Sequence, residues 1–175
     1  IGDNVGIGGE VMIWTHGAWL DVLQGFPADF GPVKIEKNVW LPARSIVLPN
    51  VKIGQNSVIG IGSIVNRNLP EGCFAAGSPC RVIKENCYPR VLSKSEKNKI
   101  IWGVLEDWHK LHKMKGINAK ATYKNGEIIL TQKDNKTIFN LDNKIITGFE
   151  NKVSEDLRDY LRRRGIKIFT NKPFK

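Results

Sequence analysis

The sequence predicts a mainly β solenoid followed by a small α+β domain, and three observations predict it. From Ile35 to Val65 a step of six meets Ile35, Leu41, Val47, Ile53, Ile59 and Val65, aliphatic every time. The fourth residue after each, Val39, Ser45, Val51, Ser57, Ser63 and Leu69, is mostly small or β-branched. Beyond Ser93 the pattern turns to helical spacing and hairpin signals, and the charge changes with it. Residues 1 to 87 carry 7 Lys+Arg and 7 Asp+Glu, whereas residues 88 to 175 carry 20 and 10, so the whole formal +10 lies in the second half.

A six-residue period suits neither an α-helix, which scatters such side chains around its axis, nor a flat strand, which turns Gly60 and Gly62 toward the core for no reason. One short strand plus one corner per hexad resolves this. Three hexads then make one triangular coil, with the leading aliphatics stacked inside and the polar residues in water. Ile1, Ile7 and Ile13 open the chain at the same step and add one more coil. The next leading position is 19, yet the pattern resumes sixteen residues late at Ile35.

The loop 17–34 between them carries Trp19, Leu20, Asp21, Leu23, Phe26, Asp29 and Phe30 around Gly25, Pro27, Gly31 and Pro32. It is too apolar for a disordered excursion and is expected to pack on a neighbouring subunit. After Val65 the repeat decays through Asn66-Arg67-Asn68-Leu69-Pro70-Glu71-Gly72, then Ala75-Ala76-Gly77-Ser78-Pro79-Cys80-Arg81-Val82-Ile83-Lys84. Glycine, proline and alanine end the solenoid there, and the segment caps its strand edges. The expected organisation is a repeat domain over 1–85, a linker over 86–93 and a basic α+β domain over 94–175.

In that second domain Ser93 or Ser95 caps a helix whose apolar residues are Ile100, Ile101, Val104, Leu105, Trp108 and Leu111, stopping at Gly116. Asn125-Gly126 joins Ala121–Tyr123 to Ile128–Leu130 as a hairpin. Further strands are expected at Thr137–Asn140 and Lys144–Thr147. A second helix follows at Ser154–Arg164, capped by Ser154 and ended by Gly165, with a last strand at Ile166–Phe169.

Composition excludes several classes. No apolar run approaches the ~20 residues of a membrane-spanning helix. Cys73, Cys80 and Cys87 form no C-x-x-C and read as reduced, buried or interfacial residues of a cytoplasmic protein. The chain starts at Ile1, in mid-pattern and without Met, so its natural N-terminus is expected upstream and a leader is not excluded. His109 and His112 lack a Cys or a third histidine nearby and read as helix-face residues, so no metal is expected. Arg162-Arg163-Arg164, with Lys167 and Lys172, has few interleaved aromatics. Such a run can engage an anionic glycan, nucleic acid or a membrane surface; here it reads as a solvated helix end, with nucleic acid the weakest of these alternatives.

The repeats, the long insertion after Thr15-His16, and the run from Asn38-Val39-Trp40 to Ala76-Gly77-Ser78-Pro79-Cys80-Arg81-Val82-Ile83 together resemble the hexapeptide-repeat acyltransferases. The resemblance is to the sugar O-acetyltransferase branch, with its galactoside and maltose acetyltransferases and capsule or O-antigen (polysaccharide) modifying enzymes. It covers about residues 1 to 85 and leaves the appendage unmatched. It implies a left-handed parallel β-helix, a homotrimer, and acetyl-CoA bound as co-substrate between coils of two subunits, with no resident cofactor. The N-terminal helical segment usual in such transferases is not seen in this sequence. The β-helical carbonic anhydrases share the repeat but need three histidines around zinc, which the repeat half does not carry.

Acetyl transfer from a thioester to a hydroxyl needs a base for the hydroxyl proton. A neutral imidazole, of ordinary pKa near ~6.5, suits that task. His16 is the only histidine in the repeat half and stands where similar enzymes place their catalytic histidine; the plain alternative is a loop histidine at a wet corner. Glu10, Asp21, Asp29 or a backbone carbonyl is available to fix its tautomer, and a backbone N–H to meet the oxyanion. Small residues at coil corners, Ser45, Ser63, Ala75 and Ala76, are expected to let backbone amides meet the pantetheine arm, and Arg67, Arg81 and Lys84 to hold the phosphates. Similar enzymes use a Thr-Lys pair where this chain has Asn66-Arg67. Trp19, Asp21 and Trp40 are the acceptor-side candidates, with interface packing the alternative for Trp40. The expected function is acetyl-CoA-dependent O-acetylation of a sugar or glycan precursor. The alternatives are O-acetylation of an antibiotic and a non-catalytic trimeric scaffold with a basic binding module.

Overall fold

A computed structural model describes residues 1–169. Lys172 of the basic C-terminal run lies outside the described residues. The chain divides into two compact units, Ile1–Val91 and Leu92–Lys175.

In the first unit the strands are two residues long wherever the six-step holds. They are β1 (Gly6–Ile7), β2 (Met12–Ile13), β3 (His16–Gly17), β4 (Asp29–Phe30), β5 (Lys34–Ile35), β6 (Trp40–Leu41), β7 (Ile46–Val47), β8 (Lys52–Ile53), β9 (Val58–Ile59) and β10 (Ile64–Val65), then the longer β11 (Phe74–Ala76) and β12 (Arg81–Lys84). Parallel ladders run β1-β6-β9-β11, β2-β7-β10 and β5-β8, the last extended by a bridge from Ile53 to Leu69. These are the three faces of a parallel β-helix. β12 turns back antiparallel on β11 and ends the first ladder.

Within each strand from β5 to β10 the second residue points inward. Ile35, Leu41, Val47, Ile53, Ile59 and Val65 are all buried, and so are Val39, Ser45, Val51, Ser57, Ser63 and Leu69 four residues later. The three serines fit because each hydroxyl donates to a backbone carbonyl: Ser45 to Pro42 at 2.8 Å, Ser57 to Pro70 at 2.8 Å and Ser63 to Gly60 at 2.7 Å. The outermost coil departs from this pattern. Ile7 lies in register with Leu41, yet it is 51% exposed where Leu41 is fully covered, because among the described residues a coil stacks on one side of it alone.

Every sixth residue also turns the corner through a left-handed conformation, at Asn38, Arg44, Asn50, Asn56 and Gly62. Asparagine tolerates this backbone better than most residues do. Asn4 Nδ2 donates to Asn38 Oδ1 at 2.8 Å and Asn38 Nδ2 to Asn56 Oδ1 at 3.0 Å, so one corner also carries an amide ladder.

The second unit contains α1 (Lys94–Met114), an antiparallel meander of β13 (Lys120–Lys124), β14 (Glu127–Gln132), β15 (Asn135–Asn140) and β16 (Ile145–Gly148), and α2 (Lys152–Arg163). Ser93 is the cap of α1, in a reciprocal box with Glu96. Two expectations are corrected. α2 is capped by Asn151, and Ser154, expected as the cap, is its third residue and closes the box. Among the described residues Ile166–Phe169 forms no strand; Phe169 N–H donates to the Lys144 carbonyl at 2.8 Å and Ile168 packs into the buried cluster. The triple-arginine run is engaged locally, with Arg162 and Arg163 on Asp159 and Arg164 over the Tyr160 ring at 3.6 Å.

Leu105 and Trp108 of α1 pack with Ile128, Phe139, Leu157 and Leu161 in one buried cluster. Asp156 ties the helices together, accepting from Trp108 Nε1 at 3.0 Å and lying 2.6 Å from His112 Nε2. Partial burial pushes its pKa up, but the bonds from His112 and Trp108, with the charge of Lys115, outweigh burial and hold it below the ordinary value.

Two outcomes follow. Ile53→Ala, at a fully buried rung, lowers unfolding free energy by ~2–5 kcal/mol in urea titration. Because the folded Asp156 pKa is depressed, its contribution is present above the unfolded carboxylate value of ~3.9 and is lost as pH falls through the folded value. Thermal melts of Asp156→Asn therefore lose part of the acid-side slope seen in the parent.

Candidate functional site

The insertion leaves the solenoid after Trp14, whose N–H still donates to the Val47 carbonyl at 2.8 Å. The loop is a hairpin. β3 pairs antiparallel with β4, setting His16 opposite Phe30, and Gly31 N–H donates to the Thr15 carbonyl at 2.9 Å. Its tip is a short 3-10 turn, Val22–Gln24, capped by the Asp21 carboxylate on Leu23 N–H at 2.9 Å and ended by Gly25 at φ 86°. The corner residue Asn50 anchors its base, donating from Nδ2 to Asp29 Oδ1 at 2.7 Å and to the Phe30 carbonyl at 3.3 Å. A Cβ at position 31 would lie 1.6 Å from Asn50 Oδ1, so this approach requires glycine.

His16 is exposed and its ring stacks on Phe30, with centroids 5.8 Å apart and planes at 16°. The three candidate partners are engaged elsewhere: Glu10 with Arg44 Nε at 2.6 Å, Asp21 with the loop tip and Asp29 with Asn50. Among the described residues none of them bonds His16.

The ladder register places Trp14–His16, Leu48–Asn50 and Asn66–Asn68 along one edge, with Trp14 N–H on the Val47 carbonyl and Leu48 N–H on the Val65 carbonyl. His16 therefore leaves from the edge that carries exposed Asn66 and Arg67, two coils or about 10 Å away at ~4.8 Å per coil. Arg67 and Arg81 converge on Cys80. Burial, with Cys73, pushes the Cys80 thiol up, against the opposing charges of Arg81 and Arg67. Arg81 Nη1 also donates to the Cys80 carbonyl at 2.8 Å. Lys84 lies on β12 opposite Phe74, exposed and away from the His16 edge.

The corner residues divide. Ser45 and Ser63 have buried side chains whose hydroxyls are spent on Pro42 and Gly60, with Ser63 Oγ also accepting Gly77 N–H at 3.0 Å. Ala75 is buried too, and its carbonyl accepts Gly60 N–H. Ala76 remains at the surface, beside Gly60, where an added Cβ would meet the Ala76 methyl at 2.6 Å. Trp19 stands 95% exposed and Leu23 93% exposed on the loop. Trp40 lies half-exposed beside Gly6 in an outward column with Val58 and Phe74.

Sequence reasoning missed that column and its counterpart Met12, Ile46 and Ile64 on the second face. The third face carries Lys34 and Lys52, paired with Glu36. The signal was the residue before each leading aliphatic. Also missed were Phe30 and Asn50, which hold the histidine and the loop.

With this geometry in place, residues 32–67 match the family model described as bacterial transferase hexapeptide (six repeats). The first unit is a hexapeptide-repeat β-helix. The left-handed parallel β-helix expected for that repeat, with a small α+β unit after it, is the fold class of the chain. The hexapeptide-repeat half is 41% identical over 87 residues to the galactoside O-acetyltransferase of Escherichia coli (strain K12), covering 49% of this chain and 43% of that one. It is 44% identical over 84 residues to the galactoside O-acetyltransferase of Lactococcus lactis subsp. lactis, covering 47% and 41%. A solved galactoside acetyltransferase in complex with coenzyme A is 40% identical, covering 48% and 43% at a TM-score of 0.44. The chain thus spans less than half the length of these relatives. Among the described residues no three potential metal ligands cluster, and no helix is long and apolar enough to cross a membrane.

Gly31→Ala forces Asn50 off the loop base. Hydrogen exchange across residues 16–31 then quickens about tenfold or more, while amides of the inner rungs such as Ile59 keep their protection.

Proposed function

We propose that this protein is an acetyl-CoA-dependent O-acetyltransferase that acts on a hydroxyl of a sugar or glycan precursor, with His16 as general base. The observation that carries the reading is His16 itself. It is presented on a ring stack at the base of an anchored hairpin, on the edge that carries Arg67, in a half-chain similar to proteins named galactoside O-acetyltransferases.

The acceptor oxygen attacks the thioester carbonyl carbon while a ring nitrogen of His16 takes the hydroxyl proton. The tetrahedral intermediate collapses with loss of the CoA sulfur, and the proton held on His16 passes to that thiolate. The products are the O-acetyl ester and free CoA. Such chemistry asks the protein for positioning and for charge stabilisation at the oxyanion. Arg67 and Arg81 supply cations for the CoA phosphates, and the Gly60–Ala76 surface supplies a close backbone approach for the pantetheine arm.

The working form in this reading is a homotrimer. Its support is the apolar loop tip at Trp19 and Leu23 and the two apolar outward faces, surface that a lone subunit leaves in water. Loop packing on a neighbour would bring Trp19 and Trp40 beside an acceptor, whereas the Asp21 carboxylate is held by its own turn. Three free cysteines fit a cytoplasmic setting, where acetyl-CoA is at hand.

Thiol release from acetyl-CoA with a panel of sugar acceptors tests this. His16→Ala lowers the rate by ~10²–10⁴; an undiminished rate removes His16 as the base. Mass photometry is expected to show three copies, and a monomer that retains activity overturns the assembly.

A further inference from the structure

One face of α1 carries a hollow that the proposed transfer reaction does not use. It measures about 430 Å³ and is lined by Trp102, Glu106, His109, Lys110 and Lys113. A second hollow of about 410 Å³ adjoins it, sharing His109 and Lys113 and reaching His112 and Asn118. Together they form an open groove of a size usual for small-molecule sites.

Its chemistry is specific. Trp102 is half-exposed and braced edge-on by Tyr123, with centroids 6.4 Å apart at 79°, which fixes one flat aromatic platform. Ala121 N–H donates to His109 Nε2 at 2.9 Å, so the neutral ring carries its proton on Nδ1 as a donor. Lys110 is paired with Glu106 at 2.8 Å, which leaves Lys113 as the cation without an ion pair among the described residues. Beneath the second hollow His112 is buried with Nε2 facing Asp156, and among the described residues its Nδ1 has no hydrogen-bond partner.

We propose that this groove binds an acidic saccharide, with a sugar ring on Trp102, hydroxyls on the His109 side, and the carboxylate of a further ring at Lys113. One platform and one unpaired cation, eleven residues or about 16 Å apart along α1 at ~1.5 Å per residue, fit a charged saccharide of more than one ring. A nucleic-acid strand asks for successive aromatic platforms and a track of cations, which this groove does not offer. The proposal stands apart from the transfer reaction.

Affinity electrophoresis of the full chain through polygalacturonate, without acetyl-CoA, tests it. The protein is retarded, Trp102→Ala weakens binding about tenfold, and Lys113→Gln, at an exposed position, weakens it about threefold. Circular dichroism identifies any variant that fails to fold, and Lys113→Gln then carries the test. No retardation, equal retardation of both folded variants, equal affinity for neutral dextran, or equal affinity for a thymidine oligonucleotide overturns it. Failure leaves thiol release at His16 unaffected, and success does not depend on it.

Discussion

The parallel β-helix must turn a corner every six residues while keeping each inward side chain directly above the one a coil below. Backbone hydrogen bonds between coils run to residues seventeen positions away, as from Trp40 N–H to the Ser57 carbonyl, so a slip of one residue would break a whole face. The left-handed residues at Asn38, Arg44, Asn50, Asn56 and Gly62 meet that demand locally. The aliphatic column meets it globally: its members are covered only when the coils are in register. Ile7, at the uncovered end, shows what stacking otherwise removes from water.

This constraint decides how an insertion can exist. Sixteen added residues must leave and re-enter without moving the next coil. The hairpin does this by closing on itself, with Thr15 bonded to Gly31, while Trp14 and Lys34 keep their bonds to Val47 and Val51. His16 is thereby held at a fixed place on the outside of a rigid frame. Groups inside the coil are excluded from chemistry for the same reason. Ser45 and Ser63 have hydroxyls, but the space above and below them is filled and their protons are already donated within the chain.

The repeat was legible because burial selects an aliphatic residue at every sixth position. The α1 cap and the Asn125-Gly126 hairpin were legible because their signals are local. Other features were not. Asn151 and Ser154 are comparable caps in isolation, and the bonds from Val153 and Ser154 N–H to the Asn151 carboxamide decide between them. Ile166–Phe169 has β-favouring residues, yet among the described residues it joins no ladder and meets the meander through Phe169 at Lys144. The six-step marks Ser45 and Ser63 as small corner residues without saying that small means buried. The anchoring of His16 depends on Asn50, thirty-four positions away, and no local pattern encodes it.

The charge of the second half carries a related lesson. A formal excess of ten lies there, and the triple-arginine run is its densest part. Yet Arg162 and Arg163 share Asp159 and Arg164 covers Tyr160, so the run is largely spent on its own helix. Exposed ion pairs add little stability, but they do reduce what the surface offers an anion. Recognition depends on charges that stay unpaired beside a shaped surface. On α1 the Glu106–Lys110 pair removes one cation from the groove and Lys113 keeps another in the same hollow as Trp102, a narrower and more selective arrangement than net charge alone conveys.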